Sequence, residues 1–217
     1  MPARTVHHGD GLAFLATPLP ADHAIITSLP DHSELPALGI AAWQRWFIDT
    51  VALACRAVAD HGVAIFYQTD VKHDGRWIDK GHLVHGGADA AGSHLLWHKI
   101  VCRVAPDTTT FGRPAYTHML CVSREARLSP GSSTPDVIGS LGDMTWSRAM
   151  GTRACEAAVA FVASLGARVV VDPFCGMGSV LAVANAAGLD AIGVERSRRR
   201  AAKARTLELP ADFVAVP

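Results

Sequence analysis

The chain has no excess of charge of either sign. Twenty Lys and Arg stand against 20 Asp and Glu, so the net charge is zero. A protein built to coat a polyanion carries a basic surplus, and that class is excluded. Cysteine is scarce and unpaired: Cys55, Cys102, Cys121, Cys155 and Cys175 are odd in number and form no close pairs. They are read as reduced thiols, neither a disulfide frame nor a zinc site. The eleven histidines lack metal-ligand spacing, and the adjacent His7 and His8 point apart on a strand. No metal is expected. No apolar run reaches membrane-spanning length, and the opening Met-Pro-Ala-Arg-Thr has no apolar leader core. The expected location is cytoplasmic, with no membrane contact. Internal repeats and low-complexity segments are also lacking.

What is present is a 217-residue chain, 49% hydrophobic. That length fits a single α/β domain spanning 1–217 with an ample core. A Ser-, Pro- and Gly-rich stretch at 128–141 reads as a linker between an N-terminal part, 1–127, and a C-terminal part, 142–217.

The organising stretch lies in the second part. Arg168-Val-Val-Val is followed by Asp172, a turn holding Gly176 and Gly178, an Ala-rich run, a second apolar run and Glu195. This is a strand–turn–helix–strand unit with a nucleotide site at its open end. Val169 to Val171 are apolar on both parities, as in a strand buried on both faces of a parallel sheet. The glycines allow a sharp turn and close ligand approach, and the helix beginning near Gly178 aims free N–H groups at that ligand. The dinucleotide fingerprint requires a third glycine, which is missing here, and a pyrophosphate would be repelled by Asp172. Glu195 can accept from a ribose diol. A cationic, ribose-bearing cofactor fits better, and S-adenosylmethionine is the common one.

Asp172-Pro-Phe-Cys-Gly-Met-Gly-Ser179 resembles the Asp-Pro-Phe-x-Gly-x-Gly-Ser/Thr signature of S-adenosylmethionine-dependent amino-methyltransferases, which modify N6 of adenine or N4 of cytosine. The chain also resembles the permuted branch of that family, in which the catalytic half precedes the cofactor half. The resemblance implies a three-layer, Rossmann-like α/β fold with a seven-stranded, mostly parallel sheet and one antiparallel strand near an edge. It implies that Asp172, Pro173, Phe174, Cys175, Gly176, Gly178, Ser179 and Glu195 bind S-adenosyl-L-methionine, and that Asp10 accepts from its adenine amino group. Trp146 and Ser147 fall where the family covers the cofactor's methionine part.

The family's Asp/Ser-Pro-Pro-Tyr tetrapeptide is matched by Ser28-Leu29-Pro30-Asp31. Ser28 and Pro30 agree; Leu29 replaces a proline and Asp31 replaces the aromatic. An amino group on a base is a poor nucleophile because its lone pair is delocalised. Acceptors at fixed geometry, here Ser28 and the Leu29 carbonyl, draw the nitrogen towards tetrahedral. The aromatic normally stacks on a flipped base, a function left unfilled here. Asp31 is an added acceptor or a base.

Along the chain, strands are expected at 5–8, 24–27, 63–67, 94–101 and 116–122, and helices at 11–16, 41–58, 81–92 and 152–165. A further strand is expected at 213–216. The segment 68–80 reads as a polar loop whose Lys72, Arg76 and Trp77 contact substrate, with Lys80 beside them. Arg103 and Arg113 are phosphate or substrate candidates by the resemblance. Arg196, Arg199, Arg200 and Lys203 are expected on one face of a basic helix.

Three functions are compatible with these residues. The first is methyl transfer to a nucleic-acid base nitrogen. RNA is favoured over DNA here: the resemblance implies that sequence-specific DNA enzymes carry a separate recognition region, and the segment between the catalytic and cofactor halves is too short for one; a homodimer or partner subunit stays open. The second is a small-molecule methyltransferase, in keeping with the zero net charge. The third is an inactive binding module of the same fold.

Overall fold

The computed structural model describes residues 2–131, 133–210 and 213. In chain order the elements are β1 (Arg4–His8), α1 (Gly11–Leu15), β2 (His23–Thr27), α2 (Ile40–Ala57), β3 (Ala64–Gln68), β4 (Val71–His73), β5 (Arg76–Ile78) and α3 (Lys80–Ala90). There follow β6 (His94–Cys102), β7 (Tyr116–Ser123), β8 (Val137–Ile138), α4 (Thr152–Ser164), β9 (Val169–Asp172), α5 (Ser179–Ala186), β10 (Asp190–Glu195) and α6 (Arg198–Thr206). A single 3-10 turn, His32–Glu34, follows β2.

Among the described residues one sheet has eight strands in the order β1-β10-β9-β2-β3-β7-β6-β8. β7 alone runs antiparallel to its neighbours. The count exceeds the expected seven by β8, a two-residue strand that pairs with β6. It arises inside the stretch expected to be linker, where Ser, Pro and Gly hide so short a pairing. β2 lies against β9 in parallel register, His23 opposite Val169 and Ile25 opposite Val171. Two strands from opposite parts of the chain thus become neighbours at the centre of the sheet.

Alternation along the strands sends side chains to two separate cores. Ile26, Ile65 and Val170 face α4, α5 and α6 on one side. Ile25, Phe66 and Val171 face α1, α2 and α3 on the other. This is the three-layer arrangement that the unbroken apolar runs predict. Trp43, Phe47, Val51 and Ala54 lie three or four residues apart along α2, inside the helix expected at 41–58, and all four are buried.

The segment 68–80 is not a plain loop. β4 and β5 form a two-stranded hairpin turning at Asp74 and Gly75, both with positive φ, 47° and 75°. Asp-Gly at a two-residue turn is a strong hairpin signal, and it was present in the sequence. The strand expected at 213–216 lies outside the described residues, apart from Phe213, which is not in a strand. No helix among the described residues is long and apolar enough to cross a membrane.

Phe47 is fully buried in the α2 core. Phe47→Ala should cost about 3–5 kcal/mol, read as a lower urea midpoint followed by circular dichroism.

Candidate active site

Ligands in open parallel sheets bind beyond the carboxyl ends of the strands. Here the ends of β1, β10, β9 and β2 converge on a cavity of about 330 Å³. Its wall includes Asp10 after β1, Glu195 ending β10, Asp172 ending β9 and Ser28 after β2. The turn residues Pro173, Phe174, Cys175 and Gly176 line it, as do Ser179, Trp146, Leu29 and Pro30.

Asp172 is buried and accepts two hydrogen bonds at one oxygen. The Thr27 hydroxyl donates at 2.7 Å and the Phe174 N–H at 3.1 Å. Burial pushes its carboxyl up to about 7, the two hydrogen bonds pull it down, and nearby Glu195 adds a push upwards. Burial also raises the Cys175 thiol, with Asp172 and Glu195 acting the same way. Cys175 therefore stays a thiol and shapes the cavity rather than reacting.

The glycines are required by the geometry. At Gly176 (φ 56°) an added Cβ would lie 2.9 Å from the Trp146 ring. Gly178, at φ 87°, caps α5 but does not line the cavity. A third glycine that sequence reasoning passed over, Gly11, lets α1 rest on the turn; a Cβ there would sit 2.2 Å from the Pro173 carbonyl oxygen. Asp10 accepts from Leu12 N–H at 2.8 Å and so caps α1 at the cavity edge.

Glu195 is buried and already has partners: Ser197 N–H at 2.6 Å and the Arg200 guanidinium at 3.2 Å. Arg200 also approaches Glu34 at 3.7 Å, and Arg148 pairs with Glu34 at 3.1 Å. The basic helix expected from sequence is corrected accordingly. Arg196 precedes α6, Arg200 turns into the cavity, and Arg199 and Lys203 stay exposed. Glu34 and Arg148 were missed, and Arg200 was expected on the face of a basic helix and not in the cavity, since only folding brings the three segments together.

The Ser28–Asp31 segment is a wall between two cavities. The second, of about 90 Å³, is lined by Ser28, Leu29, Asp31, Tyr67, Lys80, Arg103 and Arg113. Ser147, expected over the cofactor, borders this smaller cavity instead. The Trp43 indole N–H donates to the Pro30 carbonyl at 3.2 Å. Asp31 is ion-paired with Lys80, whose side chain is only 3% exposed. The start of α3, which carries Lys80, is fastened from below. Lys80 N–H donates to Asp70 at 2.8 Å, His118 reaches Asp70 at 3.1 Å, and His98 reaches His118 at 3.0 Å. Asp70, Asp79 and His118 lie within 4.8 Å of one another. Spacing in the sequence could not reveal that group, because three elements supply it. The helix amides of Lys80 and His82 occupy Asp70 and Asp79, so its evident work is to hold α3.

The hairpin residues divide. Lys72 borders a further cavity of about 220 Å³ with Asp31 and Arg113, and its ammonium lies 5.5 Å from the Trp77 ring. Arg76 and Trp77 are exposed on the hairpin and line none of these cavities.

No protein-family model matches the chain, and no curated relative matches it. Solved structures do. PvuII DNA methyltransferase (cytosine-N4-specific) is 14% identical over 99% of this chain and 91% of that one, with a TM-score of 0.71. The fold is that of these methylases. TTHA0409 of Thermus thermophilus, a candidate DNA modification methylase solved with S-adenosyl-L-methionine, is 19% identical over 93% of this chain and 91% of its own, TM-score 0.68. The M1.HpyAVI complex with the same cofactor is 14% identical over 93% and 97%, TM-score 0.63. The permuted methyltransferase fold expected from the sequence is therefore present, with eight strands in place of seven.

Two predictions follow from burial in this fold. The raised carboxyl of Asp172 makes wild-type stability fall as pH rises from the ordinary Asp value through about 7 and level off above it. The folded state then holds a proton that the unfolded chain has released. Asp172→Asn should remove this fall, seen by urea unfolding at acid and mildly alkaline pH. Asp31→Ala leaves the buried Lys80 ammonium unpaired and should cost about 3 kcal/mol. Adding Lys80→Met should restore most of the melting temperature.

Proposed function

We propose that the protein transfers a methyl group from S-adenosyl-L-methionine to an amino nitrogen on a nucleic-acid base. The observation that carries this reading is the shared wall. Asp172 and Glu195 flank a glycine turn in one cavity, and Ser28 and Leu29 separate that cavity from a second, polar one. The S-adenosyl-L-methionine bound in the TTHA0409 and M1.HpyAVI complexes supports the same reading. We treat 1–217 as one working unit, with 1–127 as its catalytic part and 142–217 as its cofactor part.

The residues fit the group. When bound, the cofactor supplies a methyl on a sulfonium, and the Asp172 carboxylate meets that positive charge. Glu195 takes the ribose diol once Arg200 yields part of its contact. Asp10, Trp146 and the 173–176 turn enclose the remainder, and the first turn of α5 behind Gly178 offers free amides. On the acceptor side, Ser28 and the Leu29 carbonyl accept from the target amino group and turn its lone pair towards the methyl. With the cofactor bound, transfer would exchange its S–CH3 bond for an N–CH3 bond, and solvent or Asp31 would take the amino proton. Trp43 keeps the Pro30 carbonyl occupied, so the Leu29 carbonyl is the backbone acceptor left for substrate.

The preference for RNA gains no support from TTHA0409 and the PvuII enzyme, which are described as DNA methylases. Strand type is therefore an arm of the assay. A small-molecule acceptor is the second reading. It is favoured by the Asp31–Lys80 pair standing where a stacking aromatic is usual.

Calorimetry should show S-adenosylhomocysteine binding that Asp172→Ala abolishes; a wild type that binds none removes the enzyme reading. Affinity for S-adenosyl-L-methionine should rise as pH passes up through about 7, and that for S-adenosylhomocysteine, whose sulfur is neutral, should rise less. Ser28→Ala should cut turnover about a hundredfold with cofactor affinity unchanged. Tritium from labelled cofactor should enter DNA or RNA; label only in a metabolite extract would favour the second reading. Label in none of these would favour an inactive binding module.

A further inference from the structure

The smaller cavity beside Ser28 carries an unbalanced charge. Four cationic side chains line it, Lys80, Arg103, Arg113 and Arg148, against two carboxylates, Asp31 and Glu34. Lys80 is committed to Asp31, and Arg148 to Glu34. Arg103 and Arg113 have no acidic partner among the described residues. Arg103 is half-buried and gives one hydrogen bond, to the Pro114 carbonyl at 3.3 Å. Burial lowers its pKa first, and the neighbouring Arg113 lowers it further. Among the described residues neither guanidinium is ion-paired: Arg103 is fastened at the Pro114 carbonyl, and Arg113 stands exposed at the cavity's edge. Their planar forks match a phosphate in shape and charge. The cavity shares Ser28, Leu29 and Arg148 with the larger one, so an anion seated there lies next to the point of transfer.

We propose that Arg103 and Arg113 seat the phosphate adjoining the methylated nucleotide, making the acceptor a phosphorylated strand held by its own backbone. This deepens the nucleic-acid reading above and rests on it. It also accounts for a protein of zero net charge that acts on a polyanion. Attraction is concentrated in one seat at the active site, where it positions the target, and no broad basic surface is needed.

The test uses the full chain saturated with S-adenosylhomocysteine and labelled single-stranded DNA and RNA of about twelve nucleotides. Affinity is measured across a salt series for the wild type and for Arg103→Gln/Arg113→Gln. The double variant should bind about tenfold or more weakly, and the slope of log K against log salt should flatten by about one. Its cofactor affinity and melting temperature should match the wild type. Arg113→Gln alone, at an exposed position, serves if the pair does not fold, with a smaller loss of the same kind. Wild-type oligonucleotide binding that survives the substitutions with an unchanged salt slope overturns the phosphate seat and leaves the reaction standing. A wild type that binds S-adenosylhomocysteine but neither oligonucleotide overturns the nucleic-acid reading, and the seat falls with it.

Discussion

The site depends on the buried hydrogen bond between the Thr27 hydroxyl and the Asp172 carboxylate, 2.7 Å long. Each residue ends its strand, and the strands come from opposite parts of the chain. Thr27 precedes Ser28 of the 28–31 segment, and Asp172 precedes Pro173 of the glycine turn. One bond therefore sets the distance between the two segments that must cooperate. An Asp out of contact with water needs such partners, because an unsatisfied buried carboxylate costs several kcal/mol. Burial still prevails, and the carboxyl is pushed up to about 7. The fold holds its key acid close to the point where a bound cation would decide its charge.

The Ser28–Asp31 wall is built on a different interaction. Where an aromatic would stack, Asp31 pairs with a lysine whose side chain is nearly buried. A buried ammonium requires its position to be well defined, and α3 supplies this through Lys80 N–H on Asp70 and the His118 and His98 links below. The result is a polar, charged wall, with Tyr67 as the aromatic side chain on its border. The two halves of the site thus differ in kind: a glycine-shaped cavity between carboxylates on one side, and an ion-paired, arginine-lined recess on the other.

Much of the frame was legible in the residues. A run apolar on both parities marked β9 as a doubly covered strand, and β2, β3 and α2 lie where strands and a helix were expected. The Gly-rich turn between two acidic strand ends was a local pattern, and local patterns survive into the fold because the backbone there has few choices. The hairpin of β4 and β5 was legible too, in Asp74-Gly75, but its charged flanks disguised it. β8 was not, since two residues carry no period.

By itself the sequence determined the order of elements, the glycine turn and the pair of carboxylates beside it, because these depend on neighbours in the chain. Only the tertiary structure decided which distant charges would meet. Arg200 turned inward to Glu195 and Glu34, Lys80 was buried on Asp31, and Arg103 and Arg113 were left facing a cavity with no ion-pair partner among the described residues. The physical reason is that ion pairs act through space over a few ångströms, and the sheet order that sets those distances is written in no single stretch of chain.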